Sequence, residues 1–207
     1  MNKAEIINYL ITKRNYKSYL EIGVDSGKNY QQIVCENKYC VDPYPLNSRQ
    51  DDIKKEDDIP KFLTWRLTSD EMFKTVCKNT KFDIIFIDGL HTEEQVGKDI
   101  INSLKHLNPG GCIVVHDCLP PNENAQIVPR IQGLWCGDVW KAITVLKEQN
   151  INFNVIDTDL GCGIIDYFEK PGKLKQLKKS DLNWLDFQSK RNEILNVINE
   201  AEFLKLY

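Results

Sequence analysis

Two short motifs combine a carboxylate with a histidine, Asp88-Gly-Leu-His91 and His116-Asp117. Each ends a nearly continuous apolar run, which is typical of a central strand buried on both faces. The carboxyl ends of parallel strands meet at one edge of a sheet, where neighbouring strands lie about 4.8 Å apart. If these two strands are neighbours, Asp88 and Asp117 could share one cation, because two unpaired carboxylates at that distance would repel each other.

The pattern permits a metal site or a plain structural role. A hard divalent ion such as Mg2+ suits carboxylate ligands, and His116 could be a further ligand or simply a hydrogen-bonding neighbour. His91 follows the first strand closely, where a neutral imidazole could take a proton from an attacking hydroxyl. The alternative is that Asp88 caps the next helix, that Asp117 begins a turn, and that His91 is a structural or surface residue.

A glycine-bearing turn is the second candidate site. A short apolar strand leads into Gly23 and Gly27, and Asp42 ends the next apolar segment. Glycines let the backbone turn sharply and approach a ligand closely. A carboxylate roughly twenty residues further on, at a second strand end, can accept hydrogen bonds from ribose hydroxyls. The pattern predicts a nucleoside site, although many ordinary tight turns also use two glycines.

Apolar runs that alternate with helical patterns must position these residues. Strands are predicted over 18–23, 38–42, 64–67, 82–88, 112–117, 153–157 and 163–167. Helices are predicted at the N-terminus and over 29–36, 68–76, 92–107 and 137–148. The alternation predicts an α/β fold with a mostly parallel sheet and helices on both faces. The last two strands are joined too tightly for a helical crossover and must be antiparallel.

Two further segments are predicted to lack strands. Residues 46–58 are polar and acidic and indicate a loop or a short surface helix. A long loop follows Asp117, and its part from Pro120 to Gly133 is predicted to be a lid, because loops of that length in a compact domain are usually functional or disordered.

Composition narrows the class of protein. The chain has 207 residues and a formal net charge of -3, which gives no reason to expect a nucleic-acid partner. No apolar run reaches the roughly twenty residues that span a bilayer, and the N-terminus lacks the apolar segment of a signal peptide. Seven cysteines without CxxC spacing indicate a reducing, cytoplasmic environment. We expect one domain over 1–170 and a C-terminal helical extension over 171–207, which packs on that domain or on a partner chain in a homo-oligomer.

The motifs together resemble a known family. They run Leu-Glu-Ile-Gly-Val-x-x-Gly, Val-Asp-Pro, Thr-Ser-Asp, Phe-Asp-Ile-Ile-Phe-Ile-Asp-Gly-x-His, Asn-Pro-Gly-Gly and Val-Val-His-Asp. This order, over about residues 18 to 167, resembles class I S-adenosylmethionine-dependent methyltransferases, and most of all the branch that contains macrolide-sugar O-methyltransferases. The resemblance implies a Rossmann-like seven-stranded sheet with the last strand antiparallel.

The resemblance also implies roles for individual residues. The residues that bind S-adenosylmethionine would be Glu21, Gly23, Gly27, Asp42, Ser69, Asp70 and Asp88. The catalytic residues would be His91, as the base, and Asp88. Asp88 and Asp117 match metal ligands of the family, and His116 would complete the set. Two positions depart from the family: Asp25 stands where many methyltransferases have a second glycine, and His116 stands where related metal-binding members carry glutamate.

The expected function is therefore methyl transfer from S-adenosylmethionine to a hydroxyl of a small molecule, most readily a sugar or glycan, with or without Mg2+. Two alternatives stay open at this stage. One is a metal-dependent oxygenase or hydroxylase on the same scaffold, and the other is a non-catalytic module that binds the cofactor.

Overall fold

The computed structural model describes residues 1–45, 60–166 and 176–207. Its strands are β1 (Ser18–Ile22), β2 (Asn37–Val41), β3 (Phe82–Ile87), β4 (Leu107–Val115), β5 (Phe153–Ile156), β6 (Cys162–Asp166) and β7 (Val197–Ile198). Its helices are α1 (Lys3–Arg14), α2 (Lys28–Gln32), α3 (Ser69–Lys74), α4 (Glu93–Lys105), α5 (Glu123–Gln126), α6 (Val139–Thr144), α7 (Trp184–Ile194) and α8 (Glu200–Leu206), with a 3-10 turn at Lys147–Gln149. The segment 46–58, the end of the last predicted strand and the boundary at 170 lie outside the described residues.

The strands form one mixed sheet in the order β2-β1-β3-β4-β6-β5-β7. The pairs β1–β2, β1–β3 and β3–β4 are parallel. Strand β6 runs antiparallel to both of its neighbours, β4 and β5. The predicted α/β fold with a mostly parallel seven-stranded sheet is confirmed; the antiparallel strand is β6, and not the last strand, β7, which runs parallel to β5.

The strand predicted over 64–67 is wrong. Within it, Trp65 forms a single parallel bridge to Val41. The ladder does not extend because the Thr64 hydroxyl accepts the hydrogen bond of the Cys40 N–H at 3.0 Å, and a longer edge strand would need that donor. The seventh strand is instead β7, which pairs in parallel with β5 at the opposite edge.

Helices cover both faces of the sheet, as predicted. One face packs against α3, α4, α6 and α7 through a cluster that includes Phe73, Ile100, Trp140 and Phe187. The other face packs against α1, α2 and α8 through a cluster that includes Leu10 and Phe203. None of the helices in the described ranges is both long and apolar enough to cross a membrane.

Several helix ends differ from the predicted ones. The helix predicted over 29–36 ends at Gln32, and the one predicted over 137–148 divides into α6 and the 3-10 turn. Helix α4 begins after Thr92, whose side chain caps the N–H of Gln95. The Gln95 side chain does not form the reciprocal hydrogen bond to the backbone of Thr92, because it donates to Ser69 and Asp99 instead. The predicted strand at 112 begins earlier, at Leu107, so the Asn-Pro-Gly-Gly segment belongs to β4.

Candidate functional site

Two neighbouring strands bring the two carboxylate–histidine motifs to one edge of the sheet. Asp88 follows β3 directly, and His116 and Asp117 follow β4. The Nδ1 atom of His116 lies 3.4 Å from Asp88 Oδ1 and 3.4 Å from Asp117 Oδ1. One ligand atom from each of the three residues lies within 4.8 Å of the others. This separation allows the three side chains to contact a single ion.

The His91 imidazole lies between the same two carboxylates. Its Nδ1 is 3.1 Å from Asp117 Oδ2, and its Nε2 is 3.4 Å from Asp88 Oδ1. Nδ1 is also 3.1 Å from the carbonyl oxygen of Trp135. Two acceptors lie 3.1 Å from Nδ1 and one lies 3.4 Å from Nε2, so the neutral ring is best satisfied with its proton on Nδ1, which leaves Nε2 to accept another.

The loop after β4 folds back onto His91. The indole of Trp135 stacks on the imidazole, with ring centroids 5.2 Å apart and planes 19° apart. Gly137 passes so close that a Cβ there would lie 1.7 Å from the His91 carbonyl oxygen. These two contacts lie just beyond the predicted lid, Pro120 to Gly133, which contains the short helix α5. The lid role itself stays a prediction.

Two charged residues of the cluster were missed from the sequence, Lys3 and Asp159. The Lys3 ammonium donates to Asp88 Oδ2 at 2.7 Å, and the Lys3 backbone N–H donates to Asp159 Oδ2 at 2.7 Å. Asp159 Oδ1 lies 3.8 Å from His116 Nε2. The antiparallel pairing of β4 with β6 was the signal for Asp159, because it places the turn before β6 beyond the end of β4. Lys3 lies in no motif, and no sequence signal indicates its role.

Opposite charges control ionisation in this cluster. Burial raises the pKa of Asp88, but His116, then His91 and Lys3, outweigh burial and hold that pKa well below its usual range. Burial lowers the pKa of His116 and of His91, and the surrounding carboxylates raise both above the ordinary histidine value. His116 chiefly lowers the pKa of Asp159 to about 2. The cluster therefore favours the ionised forms of Asp88 and Asp159, and both histidines keep a proton to higher pH than a free imidazole does.

The glycine turn lies against the cluster. Gly23 has a φ of +83°, and a Cβ at this position would lie 2.2 Å from the Asp88 carbonyl oxygen. Gly27 precedes α2 with a φ of +74°, and a Cβ there would lie 2.4 Å from the Phe62 ring. Backbone conformation favours glycine at both positions, and at Gly23 the Asp88 backbone also leaves no space for a Cβ. Asp25, the departure from the family pattern, has a φ of 45° in the turn between them.

Asp42 points at the turn, as predicted. Its Oδ2 accepts hydrogen bonds from the N–H groups of Val24 and Asp25, both at 2.9 Å. Its Oδ1 accepts one bond from the Tyr44 N–H at 2.8 Å. A carboxylate oxygen accepts about two hydrogen bonds, so Oδ1 has room for one more donor. Asp42 therefore holds the turn in place and has one acceptor position left for a ligand.

Glu21 is buried beneath the turn, with 1% of its surface exposed. Its Oε2 accepts hydrogen bonds from the Tyr19 hydroxyl and from Asn29 Nδ2. Burial raises the pKa of Glu21 to about 7, since both of these partners are neutral. The neighbouring Asn29 Oδ1 is buried without a hydrogen-bond partner.

Ser69 and Asp70 contact a different part of the molecule. Both lie in the first turn of α3. The Ser69 hydroxyl donates to Asp99 at 2.6 Å, and Asp70 accepts from Asn102 at 3.4 Å, so both bind α4. The structure shows no contact of either side chain with Asp42 or the glycine turn, and their predicted role beside adenine stays a prediction.

Residues 20–118 match the family model described as a methyltransferase domain. This part of the chain is therefore similar to methyltransferase domains. The match spans β1 to the end of β4 and so includes the glycine turn, Asp42 and the carboxylate–histidine cluster. No curated protein sequence matches the chain.

Solved methyltransferase structures share the fold of this domain. The SAH-bound methyltransferase PaMTH1 from Podospora anserina is 16% identical, with 81% of this chain and 78% of that chain covered and a TM-score of 0.58. The O-methyltransferase from Bacillus cereus in complex with SAH is 13% identical, with 80% of each chain covered and a TM-score of 0.55. The O-methyltransferase TomG from Streptomyces achromogenes, in complex with SAM, is 14% identical, with 80% and 79% covered and a TM-score of 0.55. The predicted Rossmann-like fold is confirmed, and the match over residues 20–118 agrees with the predicted class I S-adenosylmethionine-dependent methyltransferase.

Proposed function

We propose that the chain transfers the methyl group of S-adenosylmethionine to a hydroxyl of a small molecule, and that His91 is the base. The observation that carries this proposal is the position of His91, held between Asp88 and Asp117 next to the Gly23 turn. The methyltransferase domain supports the reaction class, and similar O-methyltransferase structures bind SAH or SAM. We propose a sugar or glycan acceptor, as in the macrolide-sugar branch, from the motif resemblance.

The buried polar groups under the turn fit the methionine end of the donor. Glu21 has only neutral partners, and Asn29 Oδ1 has none. An ammonium group at this point would pair with the Glu21 carboxylate and donate to Asn29 Oδ1. Each of these buried groups would then have the partner that it lacks. The free acceptor position on Asp42 Oδ1 fits one ribose hydroxyl. Glu21, Gly23 and Asp42 would thus hold the donor.

The chemistry then needs little more than alignment and one proton transfer. The acceptor oxygen forms the new bond to the methyl carbon as the sulfur–carbon bond breaks, and the hydroxyl proton passes to His91 Nε2. Asp117 and the Trp135 carbonyl fix the Nδ1–H tautomer, so Nε2 faces the proton. Asp88, 3.4 Å from Nε2, stabilises the imidazolium that forms.

The cluster also fits a divalent metal ion, although not Mg2+ in particular. His116 is 6% exposed, and neither of its ring nitrogens has a hydrogen-bond partner of good geometry. Such a nitrogen is free to bind a metal. Imidazole with two carboxylates suits Mn2+, Fe2+, Co2+ or Zn2+ better than Mg2+, which prefers oxygen ligands. A bound ion would act as a Lewis acid on the acceptor hydroxyl. Asp88, His116 and Asp117 would hold it.

Calorimetry with S-adenosylhomocysteine tests donor binding. We expect the wild type to bind one molecule per chain and Glu21→Gln to bind about tenfold more weakly, because one charge-assisted hydrogen bond is lost. The control is Glu94→Gln, on the exposed face of α4. A folded wild-type protein that binds no SAH would refute the proposal.

Methyl transfer is then measured with radiolabelled S-adenosylmethionine and a panel of glycosides, sugar nucleotides and catechols. Label in any acceptor supports the proposed reaction. SAH binding without transfer to any acceptor favours the cofactor-binding module, and oxygen-dependent turnover with Fe2+ favours the oxygenase or hydroxylase.

A further inference from the structure

The first turn of α1 places a cation where a metal ion would bind. We propose that Lys3 is an internal counter-ion of the Asp88–His116–Asp117 cluster, and that a divalent metal ion must displace its ammonium group from Asp88 in order to bind. The inference concerns the metal ligands of the proposed active site and depends on their geometry, not on the identity of the acceptor.

Lys3 is fixed over the cluster at two points. Its ammonium donates to Asp88 Oδ2 at 2.7 Å, and its backbone N–H donates to Asp159 Oδ2 at 2.7 Å. The neighbouring Thr158 hydroxyl donates to the Met1 carbonyl oxygen, which holds the chain before Lys3 against the same turn. The side chain is 27% exposed, and its ammonium also lies 5.9 Å from the centre of the Phe86 ring.

Both oxygens of Asp88 have close polar neighbours in this arrangement. Oδ1 lies 3.4 Å from His91 Nε2 and 3.4 Å from His116 Nδ1, and Oδ2 accepts the bond from Lys3. A divalent ion bound through Asp88 would lie next to the ammonium, and two cations at such a distance repel strongly in a partly buried site. Lys3 and the metal therefore compete for this carboxylate.

Lys3 is the ammonium partner of Asp88. It donates to Oδ2, whereas the neighbours of Oδ1 are the imidazoles of His91 and His116, each at 3.4 Å. When Lys3 leaves, Oδ2 loses its charged partner. His116 supplies an independent sign of a ligand at this point, since its buried ring nitrogens lack hydrogen-bond partners. The vacated oxygen and the imidazole face one cation site.

Metal affinity tests this competition directly. Mn2+ is titrated into the protein, and free Mn2+ is measured by electron paramagnetic resonance. We expect Lys3→Met, which keeps the length of the side chain and removes its charge, to bind one Mn2+ about 10- to 100-fold more tightly than the wild type, because no charge-assisted hydrogen bond must be broken first. Lys3→Arg, which keeps the charge, should bind as weakly as the wild type.

Lys13→Met, in the last turn of the same helix, is the matched control and should leave Mn2+ affinity unchanged. Circular dichroism confirms the fold of each variant, and Lys3→Gln replaces Lys3→Met if the latter does not fold. Equal Mn2+ affinity in the wild type and the neutral variant, or no saturable Mn2+ binding by either, would overturn the inference. SAH binding, measured on the same samples, separates this failure from a failure of the proposed methyl transfer.

Discussion

Asp88 and Asp99 are both largely buried, yet the structure drives their ionisation in opposite directions. Asp88 lies among Lys3, His91 and His116, and its pKa falls well below the usual range although burial opposes the shift. Asp99, on α4, is 1% exposed, and its hydrogen-bond donors are Ser69 at 2.6 Å and Gln95 at 3.2 Å. Burial raises the pKa of Asp99 to about 7.

The difference shows that the charge of the partners, and not burial, decides the state of a carboxyl group here. Neutral donors stabilise a carboxylate too weakly to offset its removal from water, whereas the Lys3 ammonium and the two imidazoles more than offset it at Asp88. Glu21 follows Asp99, since its donors are neutral and its pKa is raised to about 7. Asp99 therefore joins α3 to α4 through a neutral hydrogen bond, and Asp88 is the anion of a charged site.

The largest effect is expected from the removal of His91, the proposed base, which lies beside Asp88 in the charged site. His91→Ala should lower kcat by about 100- to 10,000-fold with the best acceptor of the panel, because general-base catalysis contributes that much. The wild-type rate should rise with pH through the pKa of His91, which the carboxylates raise against the effect of burial, because the neutral imidazole accepts the proton.

SAH affinity should not change in His91→Ala. The control is His106→Ala, at the other end of α4, where the imidazole contacts Phe73 and the Asn102 carbonyl. Loss of activity in both variants to the same degree would mean that His91 has no special role.

Removal of His116 tests whether this residue stabilises the close approach of Asp88 and Asp117. His116→Leu should lower the free energy of unfolding by about 3 kcal/mol at pH 7, because it leaves two buried carboxylates facing each other without their shared partner. Urea denaturation measures the change. The double variant Asp88→Asn/His116→Leu should recover part of the loss, since one of the two charges is gone. No recovery would mean that the loss comes from packing alone.

The smallest effect is expected on stability when Asp99 is replaced. The pKa of Asp99 is raised on folding, so its ionisation penalises the native state, and the penalty grows as pH rises from about 4 to 7. Asp99→Asn should therefore be about 2 kcal/mol more stable than the wild type at pH 8 and nearly equal to it at pH 4. Thermal unfolding at the two pH values measures this. A difference that does not depend on pH would refute the raised pKa.

The sequence predicted the central strands well because their signal is local. The apolar runs of β3 and β4 are buried on both faces, and a continuous apolar run indicates that environment directly. The prediction was wrong at the two edges of the sheet, where Trp65 forms only a single bridge and the two-residue strand β7 was missed. Edge pairing depends on which backbone groups remain available, and the Thr64 side chain removes one of them.

The sequence predicted which residues of the candidate site lie at strand ends. It did not predict which side chains those residues contact. Asp42, Asp88, His91 and Asp117 follow strands or turns whose apolar or glycine patterns are visible, so their meeting at one edge follows from parallel pairing. Ser69 and Asp70 share that pattern, yet their side chains bind α4.

The sequence by itself determined where the strands before Gly23, Asp42, Asp88 and Asp117 lie along the chain, because hydrophobic periodicity and turn residues act over short distances. Only the tertiary structure decided that Lys3 and Asp159 complete the cluster, that Trp135 stacks on His91, and that Asp99 is held by neutral donors. The physical reason is that ionisation and charge pairing depend on distances between residues far apart in the chain, and packing alone fixes those distances.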